Sequence, residues 1–398
     1  MSLQIRKLQS LISQNGLFAD GDWVESKDQD PNGEVRLIQL ADIGTGEFVD
    51  KSNRFMTMDK AKLLRCTFLE PGDILIARMP DPIGRACIFP GSNKPCVTVV
   101  DVCIMRPLSS DVDSRWLMHT INSKKFNNHI LNFVTGTTRQ RISRGNLAKL
   151  EIPLPPLPEQ KRIAAILDKA DSLRRKNQQA IQLADKFLRA VFLDMFGDPV
   201  TNPKGWDVKE LDYCLIFLTS GARGWAKHYS GSGDKFIRIQ NVSKNKLLLN
   251  DLAYVNAPDG AEANRTKTQI GDVLLSITAD LGRAAVVIEE IAGSYINQHL
   301  ALLRVKQNKL NPRYLAAYLS SEAGVTQFKA KNKSAVKAGL NFTDIRTLNI
   351  LLPPIELQNK YEELYKKVTF SINYKQESLQ FSESLFKSLS QKAFSGEL

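Results

Sequence analysis

Arginine and lysine residues in two short segments, the first of them flanked by glycine, are the side chains of this sequence best suited to bind a polyanion. Residues 136–149 hold Arg139, Arg141 and Arg144. The lysines of the second segment, residues 329–341, are Lys329, Lys331, Lys333 and Lys337. Arginine can fork onto a guanine edge or a phosphate, and lysine makes point contacts with phosphate. The pattern predicts two nucleic-acid-binding segments.

Further basic residues lie in other turn-rich stretches: Arg78, Arg85, Arg223, Lys227, Lys244 and Arg283. Taken singly, each of them also fits a solvated surface charge. Basic residues recur at equivalent places in the two halves of the chain, and this recurrence favours a DNA-binding role for the set.

The sequence lacks a recognisable catalytic set. A methyltransferase needs a glycine-rich cofactor loop and an Asn-Pro-Pro-aromatic motif, and neither occurs; a GxxxxGK[ST] phosphate loop is also missing. Asp73 and Asp272 each follow a glycine where a strand begins, and we interpret both as turn residues rather than catalytic acids. The four histidines show no metal-ligand spacing against the cysteines, so we predict no metal site.

The 398-residue chain has 54 Lys and Arg residues against 42 Asp and Glu residues, a net charge of +12. This surplus of positive charge favours a polyanionic partner. The alternative interpretation is a basic surface that only aids solubility. No apolar run approaches the ~20 residues of a membrane helix, and the N-terminus lacks a signal peptide's apolar region. The five cysteines lack CxxC spacing and are expected to be mostly buried, reduced thiols of a cytoplasmic protein.

The second half of the chain repeats the first at an offset of 198 to 199 residues. The matching stretches are 38–43 with 237–242, 71–75 with 270–274, 84–86 with 282–284, 154–156 with 352–354, and Gln160 with Gln358. The loops between them differ, as in residues 78–83 (RMPDPI) against 277–281 (ITADL). A shared scaffold with divergent loops is what two recognition modules reading different sequences need.

Each repeat begins with a globular segment, residues 1–152 and 198–350. Short β-rich runs bounded by turn residues, such as 73–77 and 97–105, occur together with helical patterns such as 114–133. We interpret these segments as α/β or α+β domains whose strand order cannot be read.

Each repeat ends in a long helix, within residues 153–197 and 351–398. The first has the apolar seam Ile163, Ile166, Ala170, Leu173, Ile181, Ala184, Leu188, Val191 and Met195. The second has Tyr361, Leu364, Val368, Ile372, Leu379, Leu385, Leu389 and Ala393. Asn177 and Lys375 interrupt the two seams at equivalent positions, and a polar residue at such a position can set helix register.

A ~39-residue helix spans ~58 Å, too long to bury its stripe on one small globule. We therefore expect the two helices to pair with each other. Parallel and antiparallel pairing are both possible, and antiparallel pairing would relate the two repeats by a pseudo-two-fold axis. The alternative is that each helix packs on its own globule.

The sequence PLPPLPEQKRIA at residues 153–164, the sequence DMFGDP at 194–199 and the duplicated plan resemble the DNA-specificity subunit of type I restriction–modification systems. The resemblance covers essentially the whole chain. The second copy departs from it, because residues 353–358 (PPIELQ) are not followed by the KRIA run.

The resemblance implies a subunit without catalytic activity. Two target-recognition domains, held apart by antiparallel helices, each read half of a split, asymmetric sequence in double-stranded DNA. The helices dock two methyltransferase subunits, which bind S-adenosylmethionine and methylate adenine, and motor–nuclease subunits can join. No cofactor is expected in the chain itself.

Two other classes of function stay open. A stand-alone nuclease or methyltransferase would cleave DNA or bind S-adenosylmethionine without a partner. A coiled-coil scaffold would show absent or salt-insensitive DNA binding.

Overall fold

The chain forms two structural units, and each long helix contributes a part to both. The computed structural model describes residues 4–107, 110–221, 223–332, 339–395 and 397. Unit 1 consists of residues 1–178 and 377–398, and unit 2 of residues 179–376. Both units combine sheets with helices, so the prediction of mixed α and β structure is confirmed.

Within its described residues, unit 1 is built on three sheets. The strands are β1 (Gln4–Lys7), β2 (Leu17–Asp20), β3 (Val35–Ile38), β4 (Phe55–Met56), β5 (Ile74–Ala77), β6 (Ala86–Ile88), β7 (Cys96–Thr98), β8 (Val102–Arg106) and β9 (Glu151–Leu154). Among the described residues, one sheet has the antiparallel order β2-β8-β5-β6, a second the order β4-β3-β7 with β3 and β7 parallel, and β1 pairs with β9.

Strand β5 separates two apolar clusters of unit 1. Successive side chains of a strand point to opposite faces. Ile74 and Ile76 accordingly pack in one cluster, and Leu75 and Ala77 in another. Because all four side chains are fully buried, this strand lies at the centre of the unit.

The shorter helices of unit 1 are α1 (Met58–Leu63), α2 (Ser114–Ile121), α3 (Lys124–Leu131) and α4 (Arg144–Lys149). Asp113 caps the start of α2, since its side chain accepts hydrogen bonds from the N–H groups of Arg115 and Trp116. The long central helix is α5 (Leu157–Phe196), and it follows directly on β9.

Unit 2 repeats this plan. Its strands are β10 (Asp207–Glu210), β11 (Leu215–Ser220), β12 (Tyr229–Ser230), β13 (Asp234–Ile237), β14 (Val242–Ser243), β15 (Lys246–Leu247), β16 (Ala253–Val255), β17 (Val273–Ser276), β18 (Ala284–Val286), β19 (Tyr295–Ile296), β20 (Leu300–Val305) and β21 (Asn349–Leu352). Its helices are α6 (Ala261–Thr266), α7 (Pro312–Leu319), α8 (Glu322–Lys331), α9 (Phe342–Arg346) and the long α10 (Ile355–Ser395). Among the described residues, the sheet β11-β20-β17-β18 matches β2-β8-β5-β6 of unit 1 strand for strand.

A buried carboxylate that pairs with a partly exposed arginine explains the repeated Gly-Asp motif. Both Asp73 and Asp272 are 1% exposed. Arg106 donates to the Asp73 carboxylate at 2.6 and 2.8 Å, and Arg304 donates to Asp272 at 2.7 and 2.8 Å. Each carboxylate also caps the preceding turn, which confirms the predicted turn role.

A buried glutamine fixes the start of each long helix. Gln160 Oε1 accepts from the N–H of Asp113 at 2.9 Å, and its Nε2 donates to the carbonyl oxygen of Pro155 at 2.8 Å. Gln358 does the same with Asn311 at 2.8 Å and Pro353 at 2.7 Å. The glutamine shared by the repeats therefore ties the helix to α2 in unit 1 and to α7 in unit 2.

The long helices pair in opposite directions within each unit. In unit 1, Ile163 and Leu167 of α5 share an apolar cluster with Phe386 and Ala393 of α10. Asn177 Nδ2 lies 3.0 Å from Ser378 Oγ, so later residues of α5 meet earlier residues of α10. In unit 2, an aromatic cluster joins the helices, with Phe192, Phe196 and Tyr361 at centroid distances of 5.0 to 5.6 Å.

Both helix pairing and packing on the adjoining globular part occur, so the two predicted alternatives hold together. The same apolar clusters contain residues of the sheets. Two predicted seam residues are exposed instead, Leu173 at 48% and Leu385 at 37%, while Ser382 is buried. A straight helix repeats every 3.6 residues and drifts from a 3.5-residue seam, which explains this error.

Candidate nucleic-acid interface

The basic segment before α4 forms a tight loop. The N–H groups of Thr135 and Arg141 each donate to the other residue's carbonyl oxygen at 2.9 Å. Gly136 has φ +94°, and a Cβ there would lie 2.4 Å from the carbonyl oxygen of Arg139, so the turn requires glycine. Arg139 and Arg141 are exposed, as contact with DNA requires.

Arg144 begins α4 and already contacts the protein. Its Nη1 donates to the carbonyl oxygen of Phe18 at 2.8 Å, and its Nε lies 3.4 Å from a carboxylate oxygen of Asp20. About half of the side chain stays exposed. Arg144 therefore joins the helix to β2 while part of its guanidinium faces solvent.

Arg78 and Arg85 are buried, which corrects the prediction that they contact DNA. Arg78 is 3% exposed; its Nη1 lies 3.0 Å from Asp20 Oδ1, and its Nη2 donates to the carbonyl oxygen of Val100. Arg85 is 8% exposed. Its guanidinium donates to the backbone carbonyl oxygens of Leu40, Ile43, Met79 and Pro82. Because these donors are used within the unit, both arginines hold loops together.

The basic candidates of unit 2 differ in their exposure and in whether they already pair with a carboxylate. Arg223, Lys227 and Lys244 are exposed, the last in the turn between β14 and β15. Arg283 instead pairs with Asp280, to which its Nε donates at 2.7 Å. Arg223, Lys227 and Lys244 are therefore accessible to DNA, while the Arg283 side chain is 34% exposed and already paired.

The lysine segment of unit 2 is described only in part. Lys333 and Lys337 lie outside the described residues. Just before them, Lys329 is exposed, whereas Lys331 Nζ donates to Thr347 Oγ1 at 2.6 Å.

A cleft of about 460 Å³ opens on unit 1. Its lining includes Asp22, Trp23, Gln39, Val100 and Asp101. The Trp23 ring is 70% exposed, and its Nε1 donates to Glu25 at 3.2 Å. The sequence analysis did not assign these residues to a site, although Gln39 lies in the repeated stretch 38–43. Comparing the residues that follow Gly21 and Gly221 in the two repeats could have found Trp23.

The cleft adjoins the basic loop through Arg78. Arg78 donates to the carbonyl oxygen of Val100, and its own carbonyl oxygen accepts from the N–H of Ile142 at 3.0 Å. Ile142 directly follows Arg141. The cleft and the exposed arginines therefore belong to one continuous region of unit 1.

Asp22 carries an unusual carboxyl group at the cleft. It accepts from the N–H of Thr67 at 3.0 and 3.2 Å. Burial raises the pKa of Asp22 from 3.8 to about 6, despite the opposing effect of this hydrogen bond. The charge on the cleft wall therefore changes with mild acidification.

Helix α10 presents an apolar face that the described residues leave uncovered. In unit 2, Phe370 and Tyr374 are 79% and 66% exposed, and in unit 1, Phe381 and Leu385 are 71% and 37% exposed. At ~100° per residue, the two members of each pair lie about 40° apart around the helix. Large exposed apolar patches mark interaction sites, so this face is a candidate for partner binding.

The cysteines are buried and free, as predicted. Burial raises the pKa of Cys87 and Cys103 to about 12, which keeps these thiols protonated near neutral pH. Among the described residues, no helix combines the length and apolarity needed to cross a membrane, and no metal-binding cluster of His, Cys, Asp and Glu is present.

Residues 17–183 and 203–376 match the family model described as "Type I restriction modification DNA specificity domain". Each unit thus supplies most of one match.

Curated relatives and solved structures agree. The MjaX specificity subunit of Methanocaldococcus jannaschii, described as a putative type I restriction enzyme subunit, is 22% identical over 82% of this chain and 78% of its own length. The EcoKI specificity subunit of Escherichia coli K12 is 26% identical over 74% of this chain and 68% of its own length. The crystal structure of the S subunit from M. genitalium superposes with a TM-score of 0.63 at 15% identity, covering 99% of this chain and 96% of that one.

Proposed function

The chain belongs to the type I restriction–modification DNA specificity family, and we propose that each of its two units reads one half of a split, asymmetric DNA sequence. It is a DNA sequence-recognition subunit and not itself an enzyme. The duplication carries this conclusion: the units share topology and the Asp–Arg pair, yet their loops differ.

Exposed basic residues supply the affinity for DNA in this proposal. Arg139 and Arg141 contact phosphates beside the first half-site, and Lys227 and Lys244 do so beside the second. Phosphate contacts fix the position of a protein on the duplex, whereas side chains on base edges specify the sequence. The net charge of +12 supports contact with the phosphates.

The apolar face of α10 docks a methyltransferase subunit, and the two long helices together dock two such subunits. One structural neighbour, with a TM-score of 0.54, comes from a study of complex assembly in a type I R-M system. S-adenosylmethionine is held by the methyltransferase and not by this chain. Motor–nuclease subunits join for restriction, and the assembly acts in the cytoplasm.

The target-recognition domains are residues 1–152 and 198–350, and residues 153–197 and 351–398 form the spacer arms. The arms set the distance between the half-sites, because their helices are continuous from one unit into the other.

Binding of the purified chain and its methyltransferase partner to duplexes carrying both, one or neither half-site tests the proposal. We expect tight, salt-dependent binding only when both half-sites are present, and no methyl transfer or cleavage by the chain alone. Turnover by the chain alone would favour a stand-alone DNA enzyme. Absent or salt-insensitive DNA binding by the complex would favour a scaffold.

A further inference from the structure

The two units carry different chemistry at three backbone positions that their shared framework places alike. The first position follows a glycine. The N–H of Gly21 donates to the carbonyl oxygen of the first residue of β8 at 2.8 Å, and that of Gly221 to the first residue of β20 at 3.0 Å. Two residues further on, unit 1 has Trp23 and unit 2 has the exposed Arg223.

The second position begins the turn that follows β3 in unit 1 and β13 in unit 2. The N–H of Gln39 donates to Asp42 at 2.7 Å, and the N–H of Arg238 donates to Asn241 at 2.9 Å. The same turn position therefore carries an amide side chain in unit 1 and a guanidinium side chain in unit 2.

The third position precedes β8 or β20. The carbonyl oxygen of Asp101 accepts from the N–H of Arg78 at 2.9 Å, and that of His299 accepts from the N–H of Ile277 at 3.0 Å. A carboxylate in unit 1 is thus replaced by an imidazole in unit 2.

In unit 1 all three positions line the cleft beside the basic loop. Resting on the proposed function, we propose that these positions read bases. The base-reading residues are Trp23, Gln39 and Asp101 in unit 1, and Arg223 and Arg238 in unit 2. His299 is not among them, because both of its ring nitrogens already form hydrogen bonds with Thr278 and Gln298.

The unit 1 residues fit bases that carry an amino group in the major groove. A carboxylate is repelled by phosphates and gains at a DNA interface by accepting from a base donor, such as cytosine N4. The amide of Gln39 matches the adjacent donor and acceptor of adenine, N6 and N7. Trp23 supplies an apolar surface, 70% exposed, for contact with a base edge. The first half-site therefore contains adenine or cytosine at the positions read by the cleft.

The unit 2 residues fit guanine. A guanidinium donates in a fork to guanine O6 and N7, which is the commonest specific contact to a base edge. Arg238 also holds Asp251 at 3.0 Å, which orients its guanidinium, whereas Arg223 is exposed. The second half-site therefore contains guanine where these arginines reach.

The test uses the chain coexpressed with its methyltransferase partner in a host without other DNA methylation, read out by sequencing of methylated sites. Variants are Gln39→Ala, Trp23→Ala and Arg223→Ala, with exposed Gln9→Ala as a matched control. We expect a loss of discrimination of about 5- to 150-fold at one or two bases of the cognate half-site, with the other half-site unchanged. The double variant Gln39→Arg, Asp101→His should shift the first half-site toward guanine.

The outcomes separate this inference from the proposed function. If the wild-type complex methylates a split sequence and all the cleft variants leave both half-sites as they were, the base-reading assignment is overturned. If a unit 1 variant changes the second half-site, the assignment is equally wrong. If the wild-type complex reads no split sequence, the proposed function itself fails.

Discussion

Asn177 Nδ2 donates a hydrogen bond to Ser378 Oγ at 3.0 Å, so the polar residue in the seam of α5 meets a polar partner on α10. Asn177 is 9% exposed. A shift of one helix past the other would leave this amide buried without a partner, at a cost of about 1–3 kcal/mol. The pair therefore favours a single register over its neighbours.

Replacing Asn177 and Lys375 with leucine tests the register role of both residues. The added apolar burial should raise Tm, while the loss of the polar pair should allow other registers. Cysteine pairs across α5 and α10, placed at in-register and one-turn-shifted positions, would report the register by cross-linking. A lower Tm with cross-linking only in register would remove this role.

Truncating the buried glutamines should destabilise the units without touching the DNA surface. In Gln160→Ala or Gln358→Ala, the N–H of Asp113 or Asn311 loses its acceptor, which should cost about 1–3 kcal/mol. Denaturant unfolding measures this cost. The matched control, the exposed Gln179→Ala on the same helix, should stay within about 0.5 kcal/mol of wild type. Equal stability of all three variants would refute the anchoring role.

Stability should depend on pH through Asp22. Its pKa is raised to about 6 in the folded chain, so the folded state holds this proton more tightly than the unfolded chain does. The resulting stabilisation is present below pH 3.8, the ordinary pKa of the group, and is lost as the pH rises through 6. Asp22→Asn should therefore flatten the stability profile between these values and be more stable than wild type at pH 7. Denaturant midpoints across this range, with the exposed Asp194→Asn as control, measure the effect; an unchanged profile would contradict it.

Neutralising the basic loop should weaken DNA binding for all sequences alike. Each of Arg139→Ala and Arg141→Ala should lower the slope of log K against log salt by about one, because one phosphate contact is lost. Arg144→Ala should in addition lower stability, since Arg144 holds Phe18 and Asp20. Fluorescence anisotropy of the methyltransferase complex over a salt series measures the slopes, and denaturant unfolding measures the stability of Arg144→Ala. If a variant with Arg139, Arg141 and Arg144 all replaced by alanine binds target DNA normally, the loop does not contact DNA.

The helices should act as a ruler for the spacer between half-sites. Seven residues inserted into each helix, near Asn177 and near Lys375, keep the seam in phase and add ~10 Å, or about three base pairs. Inserting four residues instead rotates the apolar stripe and should damage assembly. The measurement is methylation of a DNA library in which the spacer between the half-sites varies in length. If the lengthened protein is active and still prefers the original spacer, the helices do not set the spacer length.

Much of the fold could be predicted, because the repeat acts as an internal comparison. Gln160 and Gln358, or Asp73 and Asp272, recur since each makes the same buried contacts in both units. The strand order could not be read, because short strands of mixed burial leave many pairings open. The seam errors at Leu173 and Leu385 arose from assuming a strict heptad.

The candidate site was harder to predict, because the type of a charged residue does not reveal its burial. Arg78 and Arg139 look alike in sequence, yet only Arg139 is exposed. Arg85 is buried, whereas the Arg283 side chain at the equivalent place is 34% exposed and pairs with Asp280. The cleft combines Trp23, Gln39 and Asp101 from separate loops, and only the folded chain brings them together.

Exchanging residues 1–152 for the matching segment of a relative tests most directly whether each unit reads its own half-site. The measurement is the methylated motif of the exchanged and parent chains, each coexpressed with the same methyltransferase partner and read by methylation-sensitive sequencing. The account predicts a split motif whose first half changes while its second half and spacer stay the same. A motif in which both halves change, or in which neither changes, would contradict it.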